Sequence, residues 1–518
     1  MVFQPEELCP DASPLVVEAL PSAPWRPLYR HACAFDPADY TDIMLNLIKN
    51  PNLNTSWLVR ADILHDDGHD TPDDLPCAAA PESGAGTETE APAPAPPVPS
   101  FVGFACRRRI VSRLIPRNTK RDKPMVQTCV IYESLSPASS GSGQDDALHK
   151  TLVVYLPHVA SAAEMPFYHP VVRAIAFLHE WDPAQSSGFV SISYLYFNQS
   201  DRSVDRLTRT AFQLLQVAQK HGQGRVDGYK MRVHHDVLIP QARVQNTHMA
   251  LKHKYARRLI EGWAETTDPG KHVFEDLSIA AFLIELWADM YGQGPFPGFV
   301  DIGCGNGLLV YILNKEGFAG WGFDARSRKS WASYSTEVQL CTAGGPPQAS
   351  LQQRVLLPPP ASGQGLHEIS SEGFSPELVH DGRFPRGTFI ISNHADELTP
   401  WTPILATLSD CPFIAIPCCS HDLTGKRYRA PPPKDKTKSE SAYASLVAWT
   451  ADIARDCGWE VEQEMLRIPS TRNTGIVGRT RSADASSVDI QRIVDRYGGT
   501  AGYLETVIKL VKQAATSH

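Results

Sequence analysis

The sequence predicts an α/β protein: an N-terminal α+β region over residues 1–240, a Rossmann-like parallel sheet over 241–482 and a helical tail over 483–518. Three observations predict it. A short apolar strand, Gly298-Phe299-Val300-Asp301-Ile302, runs into a glycine-rich turn and then into a helical stretch at 308–313, the opening unit of a nucleotide-binding sheet. A second strand, Gly320-Trp321-Gly322-Phe323-Asp324, ends in an acid. Further short apolar runs at 388–392 and 413–417 alternate with helical spacing, and 458–468 and 473–479 complete the set.

Bulk properties set the outer limits. Of the 518 residues 42% are hydrophobic, enough for extensive cores. A net charge of -8 excludes a globally basic nucleic-acid binder but leaves room for a local basic surface. The opening Met1-Val2-Phe3-Gln4-Pro5-Glu6-Glu7 lacks the basic-then-apolar order of a secretion signal, and no apolar stretch approaches the ~20 residues that span a bilayer. A soluble, cytoplasmic chain without membrane contact is expected. The eleven cysteines are scattered, and their odd number argues against a closed disulfide framework. Cys411, Cys418, Cys419 and His421 form the densest group. They lack zinc-type pairing, and adjacent cysteines on a strand point to opposite faces, so no metal site is expected.

Three stretches, 77–100, 136–147 and 343–364, are rich in Ala, Pro, Gly and Ser and read as flexible insertions that cannot bury enough surface to offset chain entropy. In the first half, strands are expected at both ends of 100–132, joined by a strongly basic middle, and again at 151–156 and 189–197, with a helix over 203–221. Helices follow at 245–263 and 275–291. The second is apolar at Ile279, Leu283, Leu286, Trp287 and Met290 and is stopped by Gly292, Gly294, Pro295 and Pro297.

The turn itself reads Asp301-Ile302-Gly303-Cys304-Gly305-Asn306-Gly307. A dinucleotide fingerprint would need its third glycine at position 308 or 310, where Leu308 and Val310 stand instead. Asp301 would repel a pyrophosphate. A cationic nucleotide suits the loop better, and S-adenosyl-L-methionine carries both an ammonium and a sulfonium. Its carboxylate would favour the positive end of the following helix. Asp301, Gly303, Gly305, Asn306 and Gly307 are therefore candidate cofactor residues, and Asp324 is placed to accept from both ribose hydroxyls. The sheet expected is that of a class I methyltransferase, with 473–479 as its reversed last strand.

Reactive groups in such sheets gather past the carboxyl ends of strands, and Asn393-His394-Ala395-Asp396-Glu397 lies there. These side chains can orient a hydroxyl and take its proton. Far upstream, Arg107, Arg108, Arg109, Arg113, Arg117, Lys120, Arg121 and Lys123 face one acid, Asp122, a local reversal of field suited to phosphates. Lys252, Lys254, Arg257 and Arg258 can extend it.

Several long segments resemble the tRNA (uracil-2'-O-)-methyltransferases that modify uridine-44 of serine tRNA: 268–276, the glycine loop, 326–331, 393–401, 417–423, 472–479 and the basic Arg113-Leu114-Ile115-Pro116-Arg117. The resemblance covers most of residues 100–480 and departs at the low-complexity insertions. It implies methyl transfer from S-adenosylmethionine to a ribose 2'-hydroxyl of tRNA, where the loop alone implies only a methyltransferase. For that reaction His394 or Asp396 is the expected base, with Glu397 and Asn393 orienting and Lys329 lowering the hydroxyl pKa. A protein or small-molecule acceptor, and a non-catalytic RNA-binding scaffold, are the competing readings.

Overall fold

In the computed structural model the described residues are 3–9, 12–20, 23–68, 95–119, 121–135, 148–198, 204–229, 235–339, 347–362, 375–435 and 439–516. The expected insertion at 136–147, most of that at 77–100, the ends of that at 343–364 and Lys120 lie outside them. The chain divides into two compact units, residues 1–231 and 232–518.

The first unit is built on one antiparallel sheet. Its strands are β1 (Glu6–Glu7), β2 (Arg26–Cys33), β3 (Leu58–Asp66), β4 (Phe104–Pro116), β5 (Met125–Ser134), β6 (His149–Pro157), β7 (Ala174–Asp182) and β8 (Ser187–Leu195), in the order β1-β2-β8-β7-β6-β5-β4-β3. Helix α1 (Pro37–Lys49) starts where the Asp36 carboxylate accepts from the Asp39 amide at 2.8 Å and Pro37 presets the first turn. With α2 (Asp205–Val226) it covers one sheet face, where Tyr40, Met44 and Leu215 pack on Ile131, Phe177 and Ile192. Val16, Trp25 and Phe101 cover part of the other face, against Val130, Val154 and Leu178.

The basic stretch differs from expectation. Its first half, Arg107 to Arg113, lies within β4, paired with β3 on one side and β5 on the other, while Arg117, Arg121 and Lys123 lie in the connection from β4 to β5. The reason is a period-two pattern hidden under the charge: Ile110, Ser112 and Leu114 are buried while Arg109 and Arg113 are exposed.

The second unit opens with α3 (Gln241–Glu261) and α4 (Pro269–Tyr291), the latter capped by Asp268, whose carboxylate accepts from Gly270 N at 2.9 Å. Its sheet comprises β9 (Phe299–Ile302), β10 (Gly320–Asp324), β13 (Leu351–Gln353), β16 (Phe389–Asn393), β17 (Phe413–Ile416), β18 (Trp459–Met465) and β19 (Thr474–Arg481). The order is β13-β10-β9-β16-β17-β19-β18, parallel up to β17, with β19 inserted antiparallel between β17 and β18. Two small ladders, β11 (Glu337–Val338) with β12 (Gln348–Ala349) and β14 (Val355–Leu356) with β15 (Val379–His380), lie outside it.

Helix α5 (Leu308–Lys315) follows β9; the single turns α6 (Trp331–Tyr334) and α7 (Pro359–Ser362) come next, then α8 (Thr402–Ser409) and α9 (Ala442–Asp456). The C-terminal segment forms α10 (Ile490–Arg496) and α11 (Tyr503–Thr516), and Ile493, Val494, Tyr503 and Val507 are buried in this unit's core. One edge strand was concealed. β13 lies inside the stretch read as a flexible insertion, where Leu351, Val355 and Leu356 are buried between prolines and glycines that mask so short an apolar pattern.

Neither the N-terminal unit nor the second contains, among the described residues, a helix long and apolar enough to cross a membrane. Trp287 of α4 is 1% exposed and meets Phe296, Phe299, Phe318 and Phe389 at ring-centroid distances of 4.7, 5.6, 5.1 and 5.4 Å. Trp287→Ala is expected to lower the unfolding free energy of this unit by ~3–5 kcal/mol, read as a shift of the urea midpoint. A loss under about 1 kcal/mol would show that this aromatic cluster does not anchor the helix to the sheet.

Candidate active site

The site grows from the ends of three adjacent parallel strands. After β9 the chain reverses through Gly303 and Gly307, both with φ of +74°. A side chain at Gly307 would also meet Leu351 Cδ1 at 2.4 Å, so the turn excludes one twice over. Asn306 Oδ1 accepts from the Leu308 amide at 2.9 Å and closes the start of α5. At the end of β10 the Asp324 carboxylate accepts from Gly305 N at 3.1 Å and Arg326 N at 3.0 Å, which ties the second strand to the loop.

The end of β16 is strained. His394 and Asp396 hold φ of +53° and +41°, conformations that non-glycine residues adopt at a cost of order 1–3 kcal/mol each. What holds them is a polar lattice from α4 and from the segment after β17. The Asn393 amide donates to Asp276 Oδ1 at 3.3 Å, His394 Nε2 lies 3.2 Å from Glu275 Oε1, and Asp396 accepts from the Cys419 amide at 3.3 Å.

These ends surround a cavity of about 520 Å³, whose lining includes Lys271, Asp276, Asp301, Asp324, His394 and Asp396. Its electrostatics are extreme. Asp301 is 1% exposed, and burial, followed by repulsion from Asp276 and Asp324, pushes its carboxyl well above the usual range. Burial and then Glu275 raise Asp276 to about 7. Asp301 Oδ1 and Asn393 Oδ1 are buried without a hydrogen-bond partner among the described residues. An unpartnered buried carboxyl oxygen costs stability unless a ligand supplies a donor, and an ammonium does so best.

His394 behaves oppositely. Burial works against its charge, but the Cys418 thiol and the Glu275 carboxylate outweigh that and lift its pKa to about 9. The same contact with His394 is the main reason the Cys418 thiol is lowered. The shift favours the imidazolium form.

Comparison with known proteins agrees with this geometry. Residues 6–232 match the family described as a TRM44-like, N-terminal bet v1-like domain, and residues 238–343 match a predicted AdoMet-dependent methyltransferase. A Neurospora crassa protein named tRNA (uracil-O(2)-)-methyltransferase is 64% identical over 98% of both chains. Proteins of the same name from Aspergillus oryzae and Schizosaccharomyces pombe are 39% and 36% identical, over 92% and 98% of this chain and 85% and 96% of theirs. The chain belongs to the tRNA (uracil-O(2)-)-methyltransferase family.

For a member of this family, S-adenosylmethionine is the methyl donor, and the residues present fit it: Asp301 and Asp276 offer buried carboxyls to the ammonium, and Asp324 stands beside the loop with lone pairs to spare for ribose hydroxyls. Of the residues expected from sequence, Asp301, Gly303, Gly305, Asn306, Asp324, Asn393, His394, Asp396 and Glu397 line the cavity together. Gly307 shapes the turn. Lys329 is exposed and is not among the lining residues; Lys271 of α4 is.

Glu275 and Asp276 were overlooked as site residues. Their signal was two adjacent acids among apolar residues of α4, obscured because the helix begins at Pro269 and not at 275. Strand alternation predicts that Cys418 and Cys419 point to opposite faces. That argument does not apply, because β17 ends at Ile416; the Cys418 and Cys419 sulfurs lie 3.9 Å apart, and with Asp396 they present ligand atoms within 4.8 Å of one another.

In the other unit, Arg107 pairs with Glu133 at 2.9 Å and Arg108 with Asp66 at 2.8 Å, while Arg109, Arg113, Arg117, Arg121 and Lys123 are exposed.

Two carboxyls with raised pKa values must ionise to hold an ammonium, so cofactor binding is expected to release protons. Calorimetry of S-adenosylhomocysteine binding near about pH 6.5 should be more exothermic in Tris than in phosphate, because Tris takes up the protons with greater heat. Asp301→Asn should weaken binding at least ~10-fold and reduce that buffer difference. Equal heats in the two buffers would rule the mechanism out.

Proposed function

We propose that this chain transfers a methyl group from S-adenosylmethionine to the 2'-hydroxyl of a tRNA uridine, on the sheet of a class I methyltransferase. Position 44 of serine tRNA is the proposed target. The reading rests above all on the unpartnered carboxyl of Asp301 beneath the glycine loop, next to a cationic histidine at the neighbouring strand end. The tRNA acceptor is inferred from the relatives' names. The cytoplasm is the proposed compartment.

The bound cofactor supplies an electrophilic methyl on a sulfonium. The chain's own residues do the rest. Asp301 and Asp276 hold the ammonium end, and Asp324 the ribose. Holding donor and acceptor in line can lower the barrier by roughly 7–11 kcal/mol. His394 and Asp396, the two residues expected as base, divide the work under this proposal. With its pKa at about 9 the imidazolium cannot accept a proton at neutral pH; it stabilises the developing alkoxide. Asp396 takes the proton, and Asn393 and Glu397 orient the ribose. Lys271 replaces Lys329 as the nearby ammonium, since it lines the cavity. In the N-terminal unit the exposed arginines of β4 and the following loop are the proposed phosphate contacts, worth a salt-dependent affinity for any RNA.

Incubation with labelled S-adenosylmethionine and total tRNA, followed by nucleoside mapping, should place the label in 2'-O-methyluridine; label on a base or on protein refutes the reading. The pH profile separates the roles of His394. Its charge, and the stabilising Glu275 pair, persist below the ordinary histidine pKa and fade as pH rises through about 9. Turnover should therefore fall on the alkaline side, and His394→Gln should lower turnover ~100-fold at neutral pH and flatten that alkaline limb. An acid-side limb that disappears in the same variant would instead make His394 the base.

A further inference from the structure

The N-terminal unit holds a second cavity, of about 300 Å³, between α1, the sheet and the start of α2. Its interior is mostly apolar, with Met44, Leu47, Leu114 and Phe177 on its walls and Gln127 buried among them. Its mouth is unlike the rest of the surface. Trp57 and Phe167 remain 40% and 49% exposed there, with ring centroids 5.3 Å apart at an interplanar angle of 76°.

Guanidinium groups crowd these rings. Arg121 lies 5.3 Å from the Trp57 centroid and 5.7 Å from that of Phe167. Arg206, in the first turn of α2, lies 4.4 Å from the Phe167 ring and donates to the Phe167 carbonyl at 2.7 Å. Arg117 is fastened to the same corner: its backbone amide donates to the Trp57 carbonyl at 2.8 Å and its Nε to the Ser56 carbonyl at 3.0 Å. Asp205 precedes Arg206 and is exposed, and Asp122 beside Arg121 is buried.

Exposed aromatic faces ringed by arginines, opening on a pocket with a few polar groups, match one chemistry closely. Bases stack on aromatic and guanidinium planes, and phosphates pair with the guanidinium edges. A base still paired in a duplex cannot enter a concave mouth of this kind. A fatty, uncharged ligand would suit the walls but not three cations at the entrance.

We propose that the Trp57–Phe167 mouth, with Arg117, Arg121 and Arg206, binds an unpaired nucleotide of the RNA substrate, its base against the rings and its flanking phosphates on the arginines. The inference rests on the RNA reading of the preceding section and adds to it a specific grip for single-stranded RNA, separate from the methyl-transfer cavity.

The test is fluorescence anisotropy of the full chain with a labelled oligouridine of about 12 nucleotides, against a duplex of equal length. The single strand should bind more tightly. Trp57→Leu, which keeps apolar bulk but removes the stacking face, should weaken it about 10-fold, Trp57→Phe should stay near wild type, and Arg121→Gln should reduce the salt slope by about 0.7. The Phe variant separates lost stacking from lost folding.

Trp57→Leu binding within about twofold of wild type, or equal affinity for duplex and single strand, overturns the proposal. So does uptake of an apolar fluorophore that oligouridine does not displace. The assay involves no methyl transfer. A wild type that binds the oligonucleotide but leaves tRNA unmethylated sinks the functional reading alone, and a methylating wild type matched in RNA binding by Trp57→Leu sinks only this inference.

Discussion

Everything in the second unit is arranged around keeping carboxyl groups out of water. Asp301 is the last residue but one of β9, the central strand of the parallel run, and α4 brings Asp276 close enough to repel it. Removing an ionised carboxylate from water costs several kcal/mol, and here burial pushes the carboxyl pKa of Asp301 upward. A carboxyl buried this way is costly when free, and in the proposed site an entering cation would offset that cost. The sequence order Asp-x-Gly-x-Gly-x-Gly follows from that need. The acid must sit at the strand end to be buried, and the glycines must follow at once so that backbone, not side chain, meets the ligand.

The same need explains where strain is tolerated. His394 and Asp396 occupy left-handed backbone conformations at the end of β16, and their position depends on Asp276, Glu275 and the Cys419 amide. The cost is carried by the packing beneath. Phe299, Ile391, Phe389 and Trp287 are almost fully buried in this unit, and each large buried side chain contributes roughly 1.5–3 kcal/mol. That burial stabilises the sheet from whose ends the strained residues project.

How much of this was legible in the sequence depends on the length of each signal. The glycine loop and Asp324 were legible because turn chemistry is local: a strand, a turn and an acid within a few dozen residues carry their own pattern. The cluster at 393–397 was legible for the same reason. Glu275 and Asp276 were not, because their function arises only when α4 packs across the sheet and closes a distance of 117 residues to Asn393. β13 escaped because a three-residue strand is shorter than any periodicity that can be read, and its neighbours are prolines and glycines. In β4 the opposite happened: charge was so dense that the alternation of Ile110, Ser112 and Leu114 beneath it went unread.

The protonation state of His394 shows most clearly why chemistry does not follow from residue type. On sequence alone a histidine at a strand end beside two acids is a natural base. Packed structure places it against Glu275 and the Cys418 thiol, and their combined field outweighs its own burial. The charged form is thereby favoured for the histidine at one strand end and disfavoured for the buried carboxyl at the next. In the proposed reaction the pair would divide the cavity into an end that attracts a positively charged donor and an end that stabilises a forming negative charge, the polarity that moving a methyl group from sulfonium to oxygen requires. That division comes from which side chains α4 delivers to which strand, so the helix packed beside the sheet contributes as much to the proposed chemistry as the loop that first drew attention to it.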